Sequence, residues 1–265
     1  MDIIKNMKSE PNIWYLDDGT IAGNVQTVLS NYNNILKALS THWLEVNPSK
    51  CELFLIKPKS EDCIKAFASF REIADGIQLV CKDNLTLLGA LIFPEAIDKV
   101  LESKLEDLKL MSSHLTKIDN HQALFLMRNC FGIPKLTYFL RSSPCLLQPK
   151  SLERYDQVIK KTLIKILNIQ LNDQAWIQAT LRISKGGLGL RPSSEVSLSA
   201  YLSSTTASAS IVESLLPAKY FQNVHYDSAL SLWKHRLGFD NAPQNPSCQS
   251  SWDKPGTTLG WTGTR

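Results

Sequence analysis

The sequence predicts an α+β protein in which short strands and helices alternate first and helices alone follow. Three observations carry this. Up to residue 93, short apolar runs bounded by Gly, Pro, Asn and Asp are interleaved with apolar stripes of helical period. After Pro94 the strand-like runs stop and only helical periodicity remains, as far as about residue 240. The charge shifts along the chain as well: residues 1–120 hold 13 Lys/Arg against 17 Asp/Glu, and residues 121–265 hold 16 against 8. Such an asymmetry points to a polyanionic partner for the second half.

Taken in order, Ile13 to Leu16 favours a strand, Asp17-Asp18-Gly19 a turn, and Thr20 to Ala22 a returning strand. Asn24 is placed to cap a helix whose stripe runs from Val25 through Val28, Leu29, Tyr32, Ile35, Leu36 and Leu39 to about Leu44. Asn47-Pro48-Ser49 stops it, and Cys51 to Ile56 reads as a buried strand. Ser60 opens a second helix with Ile64, Phe67 and Phe70 on its inner side. Ile77 to Val80 and Leu85 to Phe93 read as strands, the latter broken by Gly89. Beyond Pro94, one helix is marked by Ile97, Leu101, Leu105, Leu108 and Leu115. A second, capped by Asp119, runs through Leu124, Met127 and Phe131 towards Pro134. A third is marked by Leu152, Tyr155, Ile159, Leu163 and Ile166. Shorter helical stretches cover Leu198 to Leu215 and Ala229 to Leu237. Residues 241–265, rich in Pro, Gly, Ser and Thr, read as a disordered tail.

No apolar run approaches the roughly 18 residues that a membrane span needs. The start, Met1-Asp2-Ile3-Ile4-Lys5, lacks the apolar core of a signal peptide. The six cysteines form no Cys-x-x-Cys pair and no His stands at finger spacing from two of them. The expectation is therefore an intracellular protein, nuclear or cytoplasmic and not secreted, with free thiols and no zinc site.

Two adjacent carboxylates at a hairpin tip, Asp17 and Asp18, either face water or hold a cation, because burying both unpaired costs too much. A bare Asp-Asp-Gly is most often only a turn. Here it stands in Trp14-Tyr15-Leu16-Asp17-Asp18-Gly19, which resembles the Tyr-x-Asp-Asp hairpin of reverse-transcriptase palms, in particular those of non-LTR retrotransposons. Downstream, Asn47-Pro48-Ser49-Lys50-Cys51 is similar to the family's Asn-Pro-x-Lys-Cys stretch, although Trp43 stands where the family often has Gly. Leu87-Leu88-Gly89-Ala90 is similar to its primer-gripping Leu-Gly hairpin. Phe131 to Arg141 and Lys185-Gly186-Gly187-Leu188-Gly189-Leu190-Arg191 match stretches of its thumb and of the helical region that follows. The likeness covers about residues 12 to 240.

The resemblance implies a partial polymerase palm over residues 1–93, a short antiparallel sheet with helices. A helical thumb over 94–168 and a helical connector over 169–240 would follow. It implies RNA-directed DNA synthesis by two-metal phosphoryl transfer, with Asp17 and Asp18 as ligands of Mg²⁺. Lys50 would contact the nucleotide's phosphates, or else be a solvated loop lysine; Leu88 and Gly89 would contact the primer. The partners would be an RNA template and a DNA primer, or their hybrid, gripped by Arg128, Lys135, Arg141, Lys150, Arg154, Lys160, Lys161 and Lys165. Only Met1 to Ile13 precede the hairpin, with Asp2 and Glu10 as the sole acids there. The expected third carboxylate and the fingers are missing, so the isolated chain is expected not to polymerise. A non-catalytic nucleic-acid-binding protein derived from a retroelement is the alternative, and an unrelated helical protein with a chance Asp-Asp turn stands behind both.

Overall fold

A computed structural model of the chain describes residues 7–9, 11–56, 60–215 and 223–253, and these are mostly helical with a few short strands. Two compact units result, Met1–Leu88 and Gly89–Arg265. The division falls in the Leu88–Gly89 turn between β5 (Thr86–Leu87) and β6 (Ala90–Leu91), just ahead of Pro94; the strands before them are introduced next.

The first unit begins with an antiparallel hairpin, β1 (Asn12–Tyr15) and β2 (Asp18–Ile21). Helix α1 (Val25–Thr41) follows, its first turn closed by the Asn24 side chain, which accepts from the Thr27 amide at 2.9 Å. α1 stops at Thr41 rather than near Leu44 because Trp43 turns left-handed, at φ 59°. After a 3-10 turn at Pro48–Lys50 come β3 (Glu52–Phe54), α2 (Ser60–Ile73) and β4 (Gln78–Val80). β3 and β4 pair in parallel, with Leu53 opposite Leu79. The expected antiparallel sheet is thus corrected: this unit holds a hairpin and, separately, a parallel pair joined by a helical crossover. Leu53, Phe70, Ala74 and Ile77 form the core, with Val28, Leu29 and Tyr32 of α1 packed on it. Ile64, expected inside, is 71% exposed. Six residues from Phe70, it lies about a third of a turn off the stripe Ala66–Phe70–Ala74.

The second unit opens its helical part with α3 (Glu95–Leu115), which buries Ile97, Leu101, Leu105, Leu108 and Leu115 in one stripe. α4 (Asn120–Leu126) is capped by Asp119, which accepts from the His121 and Gln122 amides. The helix then widens into a π turn over Met127–Phe131 and breaks at Gly132, where a Cβ would sit 2.7 Å from the Met127 carbonyl oxygen. α5 (Ile133–Ser142) follows, with Pro134 in its first turn, where a missing amide costs nothing. α6 (Pro149–Leu167) ends at Asn168 in the left-handed region, and Asn172 caps α7 (Asp173–Thr180). Last come α8 (Ser193–Leu215) and α9 (Val224–Leu237).

α8 is the axis of this unit. Val196 and Ala200 face a large core shared with α3, α4, α5 and α6. Leu198, Tyr201 and Leu202 face a smaller core with Ala229, Trp233 and Trp252. A helix buried on both sides needs polar groups that satisfy themselves. The hydroxyls of Ser197, Ser199 and Ser203 each donate to the carbonyl three residues back. The α8 start is held by Asp156 of α6, whose carboxylate accepts from the amides and hydroxyls of both Ser193 and Ser194 at 2.6–3.1 Å.

Residues 241–253 correct the expectation of a disordered tail. They carry no periodicity, yet Trp252 is 1% exposed and stacks edge-on against Trp233, centroids 5.0 Å apart. The Trp252 indole N–H donates to the Pro246 carbonyl, and the Trp233 indole N–H to the Trp252 carbonyl. Residues 254–265 of the expected tail lie outside the described residues.

Candidate functional site

The Asp17–Asp18 hairpin is built by register. Tyr15 pairs with Asp18 and Trp14 with Gly19, so the turn consists of Leu16 and Asp17, one residue earlier than expected, and Asp18 opens β2. The Trp14 ring lies over Gly19, where a Cβ would come 2.5 Å from it. The Trp14 indole N–H in turn donates to the Asn12 side chain at 2.7 Å. Glycine is therefore needed at 19 to let the ring lie flat across the strands. Leu16 takes a positive φ of 55° and is 85% exposed. Leucine held there costs about 1–3 kcal/mol, and glycine or asparagine would suit the turn better. The strain sets Asp17 and Asp18, both exposed, at the tip of the hairpin. Among the described residues no group of three acidic, His or Cys side chains gathers anywhere to hold a metal.

Lys50 ends the 3-10 turn in an exposed position. The turn itself is well anchored: Asn47 accepts from the Ser49 amide and hydroxyl, Gln78 donates to the Ser49 carbonyl, and the Tyr32 hydroxyl meets Cys51 Sγ at 3.7 Å. No hydrogen bond or ion pair among the described residues ties Lys50 to Asp17 or Asp18. Trp43, 96% exposed, closes α1 in the left-handed conformation that glycine takes most readily. Leu88 and Gly89, at φ 51° and 76°, form a turn instead of an interrupted strand.

The eight basic residues expected to grip nucleic acid separate into four places. Lys150, Arg154, Lys161 and Lys165 lie along one exposed face of α6, because steps of four, seven and four return to the same side. The stripe is about 22 Å long, at about 1.5 Å per residue. On it Arg154 is partly engaged by Glu102 of α3, at 2.8 Å, and also lies 3.9 Å from Asp98. Lys160 points elsewhere, its ammonium 3.2 Å from Asp173 and over the Trp176 ring. Arg128 and Arg141 line a cavity of about 320 Å³, with Arg191 as a third guanidinium. Lys135 is exposed on α5.

The stretch Lys185–Arg191 folds back over the end of α7. Leu188 and Leu190 amides donate to the Ala179 carbonyl and the Gly189 amide to the Leu181 carbonyl. At Gly187 a Cβ would stand 2.1 Å from the Leu181 oxygen and 2.7 Å from the Gln178 oxygen, both backbone atoms that cannot swing aside. Gly187→Ala should therefore cost the second unit about 3 kcal/mol. Urea denaturation checks this; a midpoint equal to that of the parent would remove the close approach as the reason for glycine here.

This loop delivers Arg191 to Asp253, with two guanidinium–carboxylate bonds of 2.9 and 2.8 Å, and Arg182 adds a third at 3.4 Å. The Asp253 side chain is only 5% exposed. Sequence reasoning missed this cluster. Arg191 had a place in a motif, but nothing in the sequence marks its partner 62 residues on.

All six cysteines are unpaired, and burial pushes the Cys145 thiol up to about 12. No described helix is long and apolar enough to cross a membrane. No family model matches the chain, and no curated protein or solved structure matches it either.

Proposed function

We propose that the chain is a relative of the non-LTR retrotransposon reverse transcriptases, that its Asp17–Asp18 hairpin corresponds to the metal-binding tip of an RNA-directed DNA polymerase palm, and that the chain by itself does not polymerise. The observation that carries the reading is the strained turn. An exposed leucine is held at φ 55° in a place that favours glycine, and what this achieves is the presentation of two carboxylates at the end of a hairpin. Unfavourable backbone conformations persist where function requires them. Trp43 adds support, since the position where the family often has Gly adopts the conformation glycine prefers.

The donor set fits Mg²⁺, a hard cation commonly held by one or two carboxylates together with phosphates. Bound to Asp17 and Asp18, it would supply positive charge for a nucleotide's phosphates. With no third acidic group beside the pair among the described residues, a two-metal centre lacks ligands, and catalysis is not expected from this chain alone. In this reading the first unit is a partial palm and the second a thumb and connector.

Nucleic-acid binding without catalysis is the second reading, favoured by the α6 stripe. Lys150, Lys161 and Lys165 form no ion pair among the described residues and stand in line over about 22 Å, a span that can follow a phosphate backbone.

Primer extension on an RNA template with Mg²⁺ tests the first reading, with the Asp17→Ala variant alongside. Neither chain should extend the primer, and both should bind the RNA–DNA hybrid equally, with affinity falling steeply as salt rises. Synthesis that disappears in the variant would overturn the inactive assignment, and the absence of salt-sensitive binding would overturn the nucleic-acid reading altogether. Replacing Lys150, Lys161 and Lys165 by Gln should lower the salt slope by about 1 for each phosphate that the variant no longer neutralises.

A further inference from the structure

The cavity that joins Arg128, Arg141 and Arg191 has an apolar floor that none of the expected roles uses. Its volume, about 320 Å³, lies at the lower end of the roughly 300–1,000 Å³ typical of small-molecule sites. Its floor is apolar: Met127, Ile159 and Leu190 are all nearly or fully buried. Its rim carries three guanidiniums, which are not equivalent. Arg191 is neutralised by Asp253 through two short bonds. Arg128 and Arg141 form no ion pair among the described residues, so two cationic side chains line the cavity without a matching carboxylate.

Both of these arginines are held in place by neutral contacts. The Arg128 guanidinium lies over the Phe125 ring, 6.0 Å from its centroid, and the Arg128 side chain passes close to Gly189. Arg141 donates to the Gln249 side-chain oxygen at 3.2 Å. That bond fixes the Gln249 amide group and leaves its NH₂ available at the cavity wall. A planar guanidinium pair matches the oxygens of a phosphate, and an apolar floor with one amide donor suits the face and edge of an aromatic ring.

We propose that this cavity binds a nucleoside monophosphate, free or as the terminal nucleotide of a strand, with its phosphate on Arg128 and Arg141 and its base over the apolar floor. An inorganic anion would leave the floor empty. The assignment goes beyond the polymerase reading and does not depend on the hairpin. It also does not depend on the α6 stripe, because a mononucleotide has no backbone to follow it.

Isothermal titration of the whole chain with AMP, adenosine and inorganic phosphate tests the proposal. AMP should bind at least 10-fold more tightly than either of the others. The Arg128→Gln/Arg141→Gln double variant should lose at least 10-fold in AMP affinity while melting at the same temperature as the parent. A Gln249→Ala variant should weaken AMP more than inorganic phosphate. Short oligonucleotides with and without a 5′-phosphate distinguish the sources: a preference for the phosphorylated strand over free AMP assigns the site to strand ends, and equal affinity assigns it to the free nucleotide. Inorganic phosphate binding as tightly as AMP, AMP affinity unchanged in the double variant, or no AMP binding at millimolar concentration would each overturn it. Because hybrid binding is read separately through its salt dependence, the cavity can fail without the nucleic-acid reading failing, and the reverse.

Discussion

Asp156→Ala should destabilise the second unit by at least about 3 kcal/mol. The Asp156 carboxylate accepts four hydrogen bonds from Ser193 and Ser194 and so closes the first turn of α8 from a different helix. Removing it leaves two amides and the Ser194 hydroxyl without an acceptor, and leaves the Ser193 hydroxyl only the Leu152 carbonyl at 3.1 Å, in a region where Ser193 is fully buried; a buried unsatisfied donor costs about 1–3 kcal/mol. Asp156→Asn should lose less, because its carbonyl oxygen keeps part of the set. The same residue predicts a pH effect. Burial is the largest influence on this carboxyl and raises its pKa above the ordinary carboxylate value, against the pull of the hydrogen bonds from Ser194 and Ser193. The folded chain therefore holds a proton where the unfolded chain has released it. The contribution of this group to stability is full below the ordinary carboxylate value and is lost as pH rises through the raised one. Urea midpoints measured across that window should fall with rising pH in the parent, and fall less in Asp156→Asn. Identical pH profiles would mean that this carboxyl does not titrate in that window.

Trp252→Ala should cost about 3–5 kcal/mol, the usual range for removing a fully buried large aromatic side chain. The indole fills the centre of the smaller core against Trp233, and its N–H holds the Pro246 carbonyl. Trp252→Phe should recover most of the loss, since it keeps the ring and gives up one hydrogen bond. Denaturation monitored by tryptophan emission gives the free energies. If the alanine variant were as stable as the parent, residues 241–253 would not belong to the fold.

What could be read from the sequence depended on length and repetition. In α3 and α6 each apolar position named from periodicity is buried, because five spaced residues leave little doubt about the inner face. α5 was missed because Pro134 reads as a stop, whereas one turn into a helix it is a start. α7, at eight residues, is too short to show a period. The parallel pairing of β3 with β4 was invisible, since three-residue strands have no alternation from which to infer direction. The carboxylate pair was legible because its neighbours are local, and even there the turn shifted by one residue once Tyr15 paired with Asp18. The cavity was not legible at all. Arg128, Arg141 and Arg191 meet only through the packing of α5 against α8 and the return of the Gly187 loop, and neither leaves a pattern in the chain.

The serines of α8 carry a consequence for how this unit comes apart. A helix with one face in each of two cores is a shared wall, and losing either core exposes it. The wall cannot rotate or shift to save itself, because small side chains bonded to their own backbone let α5, α6 and α9 approach closely on different sides. Local opening that frees α9 alone would therefore also uncover Leu198 and Leu202, and the large core would lose its support next. Amide hydrogens in the first half of α8 should exchange only through unfolding of the whole unit, at one common rate in the slow limit. The second unit would then behave as one cooperative body across both its cores.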